Sequence, residues 1–245
     1  MNTTEITPSN KDCTCRYSTK YAGLLILFLL AIAFIKPVHA QKIDSYIWEP
    51  KLSVSKKLSS KYTLQGGLKI RQDLEFNKNT TIIERVEPNA NITRKLFNNA
   101  KAGAGYVFIG DDLFRPQVEN EHRILQYYSF SFKFEKFRLS NRIRNEQRMS
   151  ADSYKNRLRY RLGVDLPLNG EKLNSREAYF AASNEVLSNF NAHYQKFENR
   201  FSVGVGWKIQ QNKKIQIQLQ HRISSISTQN ESQAIYLTTS FYFSN

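Results

Sequence analysis

Eight basic residues at even spacings carry the strongest chemical signal in this sequence. Arg138, Arg142, Arg144 and Arg148 fall on one alternate set of positions. Lys155, Arg157, Arg159 and Arg161 fall on another, a few residues later. Guanidinium forks hold carboxylates and phosphates bidentately, and ammonium groups act as point charges for the same partners. Such a set has two uses. Around an open passage it attracts and selects anions, as rings of Arg or Lys do. Across a narrow, filled interior it is neutralised by carboxylates in a salt-bridged network. The acids at matching positions are Glu121, Glu146, Asp165, Glu177, Glu185 and Glu198. If the two basic runs pair as a hairpin, like charges face each other about 5 Å apart, which is unfavourable unless acids or water intervene.

Hydrolytic chemistry is the competing reading. The available pairs are His122 with Ser129 or Ser131, and His221 with Ser224 or Ser225. A nucleophile and its base must approach within about 3 Å, with a third group orienting the base. The residue pattern puts both histidines on an apolar face and Ser129, Ser131 and Ser224 on the opposite one. No catalytic residue is therefore assigned, and the protein is expected not to be an enzyme. His122, His193 and His221 are scattered without ligand spacing, so neither a metal site nor a cofactor is expected. Trp48, Tyr106, Tyr128, Tyr154, Trp207 and Phe243 lie on the apolar face. They suit either a sugar or lipid platform or, more simply, the aromatic girdles of a membrane barrel.

The elements that must position these residues are strands. In Glu119–Phe134, Ile124, Tyr128, Phe130 and Phe132 alternate with Glu121, Arg123, Ser129, Ser131 and Lys133. After a turn at Glu135-Lys136, Phe137, Leu139, Ile143 and Met149 alternate with the first arginine set. Tyr154, Leu158, Tyr160, Leu162, Val164, Leu166 and Leu168 then alternate with the second. Successive side chains on a strand point to opposite faces, so this is a strand signal. The runs are about twelve to fifteen residues long, where globular strands are commonly about five or six. A tilted membrane strand needs about 9–11, apolar outward and polar inward.

The same alternation recurs in Tyr46–Lys57, Tyr62–Phe76, Ile82–Arg94, Lys101–Phe108, Glu177–Val186, Phe197–Ile209, Ile215–Ile223 and Gln233–Phe243. With the central three this makes eleven strands. Single-chain bacterial barrels have even counts. Parity thus predicts ten, with the Pro88-interrupted Ile82–Arg94 as an edge, bulge or loop, or twelve. Short turns at 58–61, 95–99, 135–136 and 211–213 share one side. Loops at 110–118 and 225–232 would carry any loop-mediated binding.

Residues 1–40 read as an export signal rather than part of the fold. Lys11, Arg16 and Lys20 precede the apolar run Tyr21–Ile35, and Val38-His39-Ala40 sets up cleavage before Gln41. Fifteen apolar residues are short for a helical span, which needs about 20. Residues 41–245 then form one domain. Both cysteines, Cys13 and Cys15, fall in the signal, so disulfide and thiol chemistry are excluded from the rest. Removing residues 1–40 takes away four Lys/Arg and two acids, lowering the net charge from +15 to +13. A basic, aromatic protein suggests nucleic acid, but export argues against it and favours lipid headgroups, lipopolysaccharide phosphates or anionic solutes.

The segments SVSKKLSSKYTLQGGLKIR, AKAGAGYVF, EHRILQYYSFSFKFEKFRLSNRIRNEQR and YKNRLRYRLGVDLPL resemble the family called domain of unknown function 2490. The Glu-His-Arg at 121–123 and the Phe-Arg-Leu-Ser with its following arginines at 137–144 carry most of the likeness, which covers most of residues 46–243. The resemblance implies an outer-membrane β-barrel of diderm bacteria and brings no assigned activity. The last strand, ending Phe241-Tyr242-Phe243, is also similar to the aromatic C-terminal signal read by the outer-membrane assembly machinery.

The expectation is therefore an all-β protein: a closed antiparallel transmembrane barrel of ten to twelve strands behind a cleaved signal, exported by the general secretory route to the bacterial outer membrane. Its partners would be outer-membrane lipid, lipopolysaccharide and the assembly machinery, without nucleic acid. A narrow passive pore with a basic, anion-attracting lumen competes with a closed structural or loop-binding barrel, and a lipid-modifying hydrolase is the weakest reading. A soluble carrier of apolar ligands would want an apolar interior.

Overall fold

The computed structural model describes residues 43–75, 80–111, 120–192, 194–226 and 231–245. The expected signal segment 1–40 lies outside them, as do most of loop 110–118, residues 227–230 of loop 225–232, and His193. Eleven strands follow one another: β1 (Ser45–Lys57), β2 (Tyr62–Glu75), β3 (Thr80–Lys95), β4 (Ala100–Asp111), β5 (Glu121–Lys133), β6 (Arg138–Ser150), β7 (Ser153–Pro167), β8 (Glu177–Phe190), β9 (Gln195–Gln210), β10 (Lys213–Ser224) and β11 (Ser232–Ser244). Each pairs with its neighbours in the chain, and β1 closes on β11, so the sheet is a complete barrel. Closure satisfies the backbone of both terminal strands and leaves no edge.

The count departs from parity. With every connection reversing direction, an odd number of strands leaves the first and last pointing the same way. They can close only as a parallel pair, and β1 and β11 do so, from Ser45 opposite Ala234 to Ser55 opposite Ser244. The expectation of an even count fails for this reason. It also separates the strand termini: β1 starts at one rim, here the N-terminal rim, and β11 ends at the other, the C-terminal rim. The turns at 58–61, 96–99, 134–137 and 211–212 share the C-terminal rim, as the sequence suggested, together with the longer connection 168–176. In that connection Gly170 takes φ of 67°, the left-handed conformation that the Asn169-Gly170 pair signals.

Ile82–Arg94 is neither edge nor loop. It is the body of β3, paired to β2 without a gap from Val86 to Arg94. Pro88 acts on the other side only. The β3–β4 ladder runs through Val86 opposite Gly110 and resumes at Asn89 opposite Val107. Pro50 does the same in β1, whose ladder with β2 skips from Trp48 to Lys51 while its ladder with β11 continues. A proline cannot donate to a ladder, so each strand gives up bonds on one flank only. β8 also runs past Val186, the last residue of the alternation, because Asn189 pairs with Arg157 and Phe190 with Gln195.

The polarity is inverted relative to a soluble domain. Among the most deeply buried large side chains, Glu49 and Glu146 stand beside Ile109 and Leu187. Exposed large apolar side chains come from all eleven strands, among them Val54, Leu64, Ile92, Tyr106, Ile124, Ile143, Leu158, Val186, Phe201, Leu219 and Phe241. They form a belt around the outside. The inner wall relieves its crowding with glycine. Gly103 faces Tyr127 and Gly206 faces Tyr179, and each tyrosine ring occupies the space where the glycine's Cβ would stand. Tyr127 also meets the Thr93 hydroxyl at 2.5 Å. Tyr127→Phe is expected to lose about 1 kcal/mol of stability, the usual worth of one such bond, measurable as an earlier urea midpoint in detergent.

Candidate functional site

The interior holds a cavity of about 1720 Å³ that reaches the turns of the C-terminal rim at Ser59, Asn98, Lys136 and Asn212. Strand register determines what lines it. Across β6 and β7, Arg138 faces Asp165, Arg142 faces Arg161, Arg144 faces Arg159, Glu146 faces Arg157 and Arg148 faces Lys155. Two arginine pairs thus sit directly opposite each other. Unit charges about 5 Å apart repel by about 3 kcal/mol at an effective dielectric of 20, so the acids nearby decide whether the wall is tolerable.

Two carboxylates carry most of that load. Glu146, 1% exposed, meets Arg159 at 2.6 Å, Arg144 at 3.5 Å and Arg157 at 3.7 Å. Glu185, from β8, meets Arg159 at 2.7 Å, Arg142 at 3.5 Å and Arg200 at 3.8 Å. Glu198 adds a bond to Arg200 at 2.5 Å. Arg161 has no carboxylate within 4 Å among the described residues, and its hydrogen bond goes to Ser183 Oγ at 3.1 Å. The wall is basic in excess: Arg142, Arg144, Arg157, Arg159 and Arg200 share three carboxylates, and Arg161 stands beside them with none within 4 Å among the described residues. A salt-bridged network and an open cavity, alternatives in the sequence, coexist here.

The remaining sequence-picked residues have other surroundings. Glu121 holds Arg148 bidentately at 2.7 and 2.9 Å, pairs with Arg123, and belongs to the N-terminal rim of β5 and β6. Lys155 faces Arg148 there. Asp165 pairs with Arg138 towards the other rim. Glu177, expected as an interior acid, instead accepts hydrogen bonds from the Asn174 backbone and side chain at 2.7 and 3.1 Å. It caps the 168–176 connection, because it is the first residue of its strand. Trp48, Tyr154, Trp207 and Phe243 point outward near strand ends, whereas Tyr106, also outward, lies at the middle of β4. Tyr128, also outward, lies near the middle of β5, away from either rim.

A second charged cluster was missed in sequence. Glu49, 1% exposed, meets Lys51 at 3.0 Å, Arg222 at 3.3 Å, and Lys69 and Arg71 at 3.5 Å. Lys69 is shared with Glu87, and Arg222 stacks on Tyr236 at 3.4 Å from the ring centre. Both acids precede the ladder-breaking prolines, as Glu49-Pro50 and Glu87-Pro88, on the two strands flanking β2. Alternation with Trp48 marks Glu49 as inward, whereas Glu87 was lost when Pro88 demoted its strand.

His122 and the cavity serines Ser129, Ser131 and Ser224 stand on opposite faces of the sheet. His122 is exposed outside and bonds the Tyr106 hydroxyl at 2.5 Å, whereas Ser129, Ser131 and Ser224 line the cavity. His221 bonds Gln233 at 3.0 Å.

A family profile described as "Protein of unknown function (DUF2490)" matches residues 47–233. The chain belongs to that family. The DUF2490 match runs from β1 to the first residues of β11 and includes both charged clusters, so the family likeness read in segments spans nearly the whole barrel. No curated protein and no solved structure matches the chain.

Proposed function

We propose that this DUF2490 member is an integral outer-membrane barrel whose basic interior attracts small anions and lets them pass. The observation that carries the reading is the inverted polarity: an apolar belt around all eleven strands and a cavity lined by charge. In water a continuous apolar belt is a liability, while in a bilayer it is the matching surface, and a closed ladder is what hydrocarbon demands of a sheet. The strands are 12–16 residues long. At about 3.3 Å per residue and a tilt near 40° they stand roughly 30–40 Å tall, enough to cross an apolar band of about 25 Å with both rims in water. The short turns at the C-terminal rim then face the periplasm. An export segment over residues 1–40 supports the location.

The arginine surplus supports the selectivity. Its carboxylates are already shared, so a mobile anion lowers the energy of the wall and a mobile cation raises it. Function lies in passage or binding rather than catalysis, since the serines and histidines stand on opposite faces.

The test is conductance in a planar bilayer, using protein purified from outer membranes of cells expressing the full chain, under a salt gradient. Discrete anion-selective steps are expected, with selectivity reduced when Arg142 and Arg159 are both changed to Gln. An inserted, folded but silent barrel would sink the passage reading. Cation selectivity would refute the role given to the arginines.

A further inference from the structure

Four adjacent strands bring a single row of donors into the cavity. Lys101 of β4 faces Ser129 of β5, Ser129 faces Arg142 of β6, and Arg142 faces Arg161 of β7. All four line the cavity. We propose that this row is a binding site for a tetrahedral oxyanion, inorganic phosphate or the phosphate group of a small phosphomonoester.

Several independent observations converge on it. Arg161 has no carboxylate within 4 Å among the described residues, only the Ser183 hydroxyl at 3.1 Å. Arg142 has one carboxylate contact, at 3.5 Å, to a Glu185 that Arg159 holds at 2.7 Å. Its side chain is 30% exposed to the cavity, against 12% for Arg159 and 21% for Arg144. The Ser129 hydroxyl between Lys101 and Arg142 is buried and makes no hydrogen bond among the described residues. Lys101 lies within electrostatic reach of Arg142 and Arg138. Two guanidinium forks, an ammonium and an unused hydroxyl are the donor set that phosphate oxygens take. Neighbouring strands are about 4.8 Å apart, so the row spans roughly 15 Å of wall, and the inward curvature of a barrel converges its long side chains. The like-charged facing of Arg142 and Arg161 is unfavourable when empty and becomes favourable with a dianion between the forks. The acids nearest the row are Glu185, which faces Arg161 across β7 and β8 but is held most tightly by Arg159 and shared with Arg142 and Arg200, and Asp165, which is paired with Arg138.

The site rests on the reading of an accessible, anion-attracting interior but not on passage through it. Calorimetric titration of the full chain in detergent with inorganic phosphate, and separately with glycerol 3-phosphate, tests it. Saturable binding is expected. Arg161→Gln and Arg142→Gln should each weaken it at least about tenfold, in line with loss of a bidentate charge-assisted contact. Ser129→Ala should weaken it by about threefold, and Arg161→Lys, which keeps the charge and loses the fork, by about fivefold. Lys172→Gln removes the same charge from the mouth of the cavity and should leave binding nearly unchanged. Heat-modifiable gel mobility establishes that each variant is folded. If Arg161→Gln does not fold, Arg161→Lys and Ser129→Ala carry the test. No saturable binding by the folded wild type would overturn the site while leaving anion conductance intact. An equal loss in Lys172→Gln would also overturn it, because diffuse charge rather than the row would then hold the anion. Binding with a silent bilayer would uphold the site and remove passage alone.

Discussion

Glu146→Gln should lower the stability of the folded barrel by about 3–5 kcal/mol, the range for removing one partner of a buried ion pair. Glu146 is 1% exposed and is held by Arg159 at 2.6 Å, with Arg144 and Arg157 at 3.5 and 3.7 Å. Arg159 keeps Glu185 after the change, but Arg144 and Arg157 lose the one carboxylate each has within 4 Å among the described residues. Glutamine matches the shape and none of the charge, so the penalty is uncompensated cation rather than a cavity. Urea unfolding in detergent, followed by the fluorescence of outward-facing Trp48 and Trp207, reads it. The size of the effect also reports the environment. A loss below about 1 kcal/mol is the behaviour of a water-screened pair, and it would mean that the cavity is hydrated to the depth of Glu146. Either result constrains the anion reading, because Glu146→Gln also adds one net positive charge to the wall and should sharpen anion selectivity.

The second large effect falls on backbone rather than charge. Gly204 of β9 faces Gln218 of β10, and an added Cβ would overlap the Ile217 carbonyl oxygen and the Gln218 Cα. At Gly206 the obstacle is the Tyr179 ring, a side chain that can swing away, whereas at Gly204 it is the neighbouring strand itself. Gly204→Val should therefore push β9 and β10 apart and destabilise the barrel by about 3 kcal/mol, at the upper end of the usual overpacking penalty. Gly66→Ala is the matched control: nothing lies within 4 Å of the position, and its change should be within about 1 kcal/mol of neutral. Folded fractions by heat-modifiable mobility, compared for the two variants, check the pair. A well-folded Gly204→Val protein would show that the β9–β10 ladder is looser than its register implies.

Much of this architecture was legible in the residues. Alternation in β5, β6 and β7 identified the strands, the inward arginines and the outward aromatics, because a side-chain period of two leaves little freedom once one face is apolar. The same rule assigned the histidines and serines to opposite faces. It failed where one residue broke the pattern. Pro88 made β3 look like an interruption, although the missing ladder bonds fall only on its β4 flank. Glu87 was overlooked with it, and Glu49 was overlooked because, Lys51 apart, its partners Lys69, Arg71 and Arg222 come from other strands. Glu177 shows the converse limit, since parity places it inward but its position at the strand start gives it to a turn.

By itself the sequence determined an all-β chain with apolar and charged faces and a basic wall on consecutive strands, since these follow from local alternation and residue type, while the DUF2490 likeness rested on particular segments. Closure was decided only by the tertiary structure. An odd number of reversing strands forces β1 and β11 into parallel, and that seam brings Arg222 of β10 to Glu49 of β1, 173 positions away. The same is true of charge balance. Which arginines share a carboxylate, and which, like Arg161, face one across a ladder without reaching it within 4 Å, depends on register across strands, and register is a property of the closed sheet.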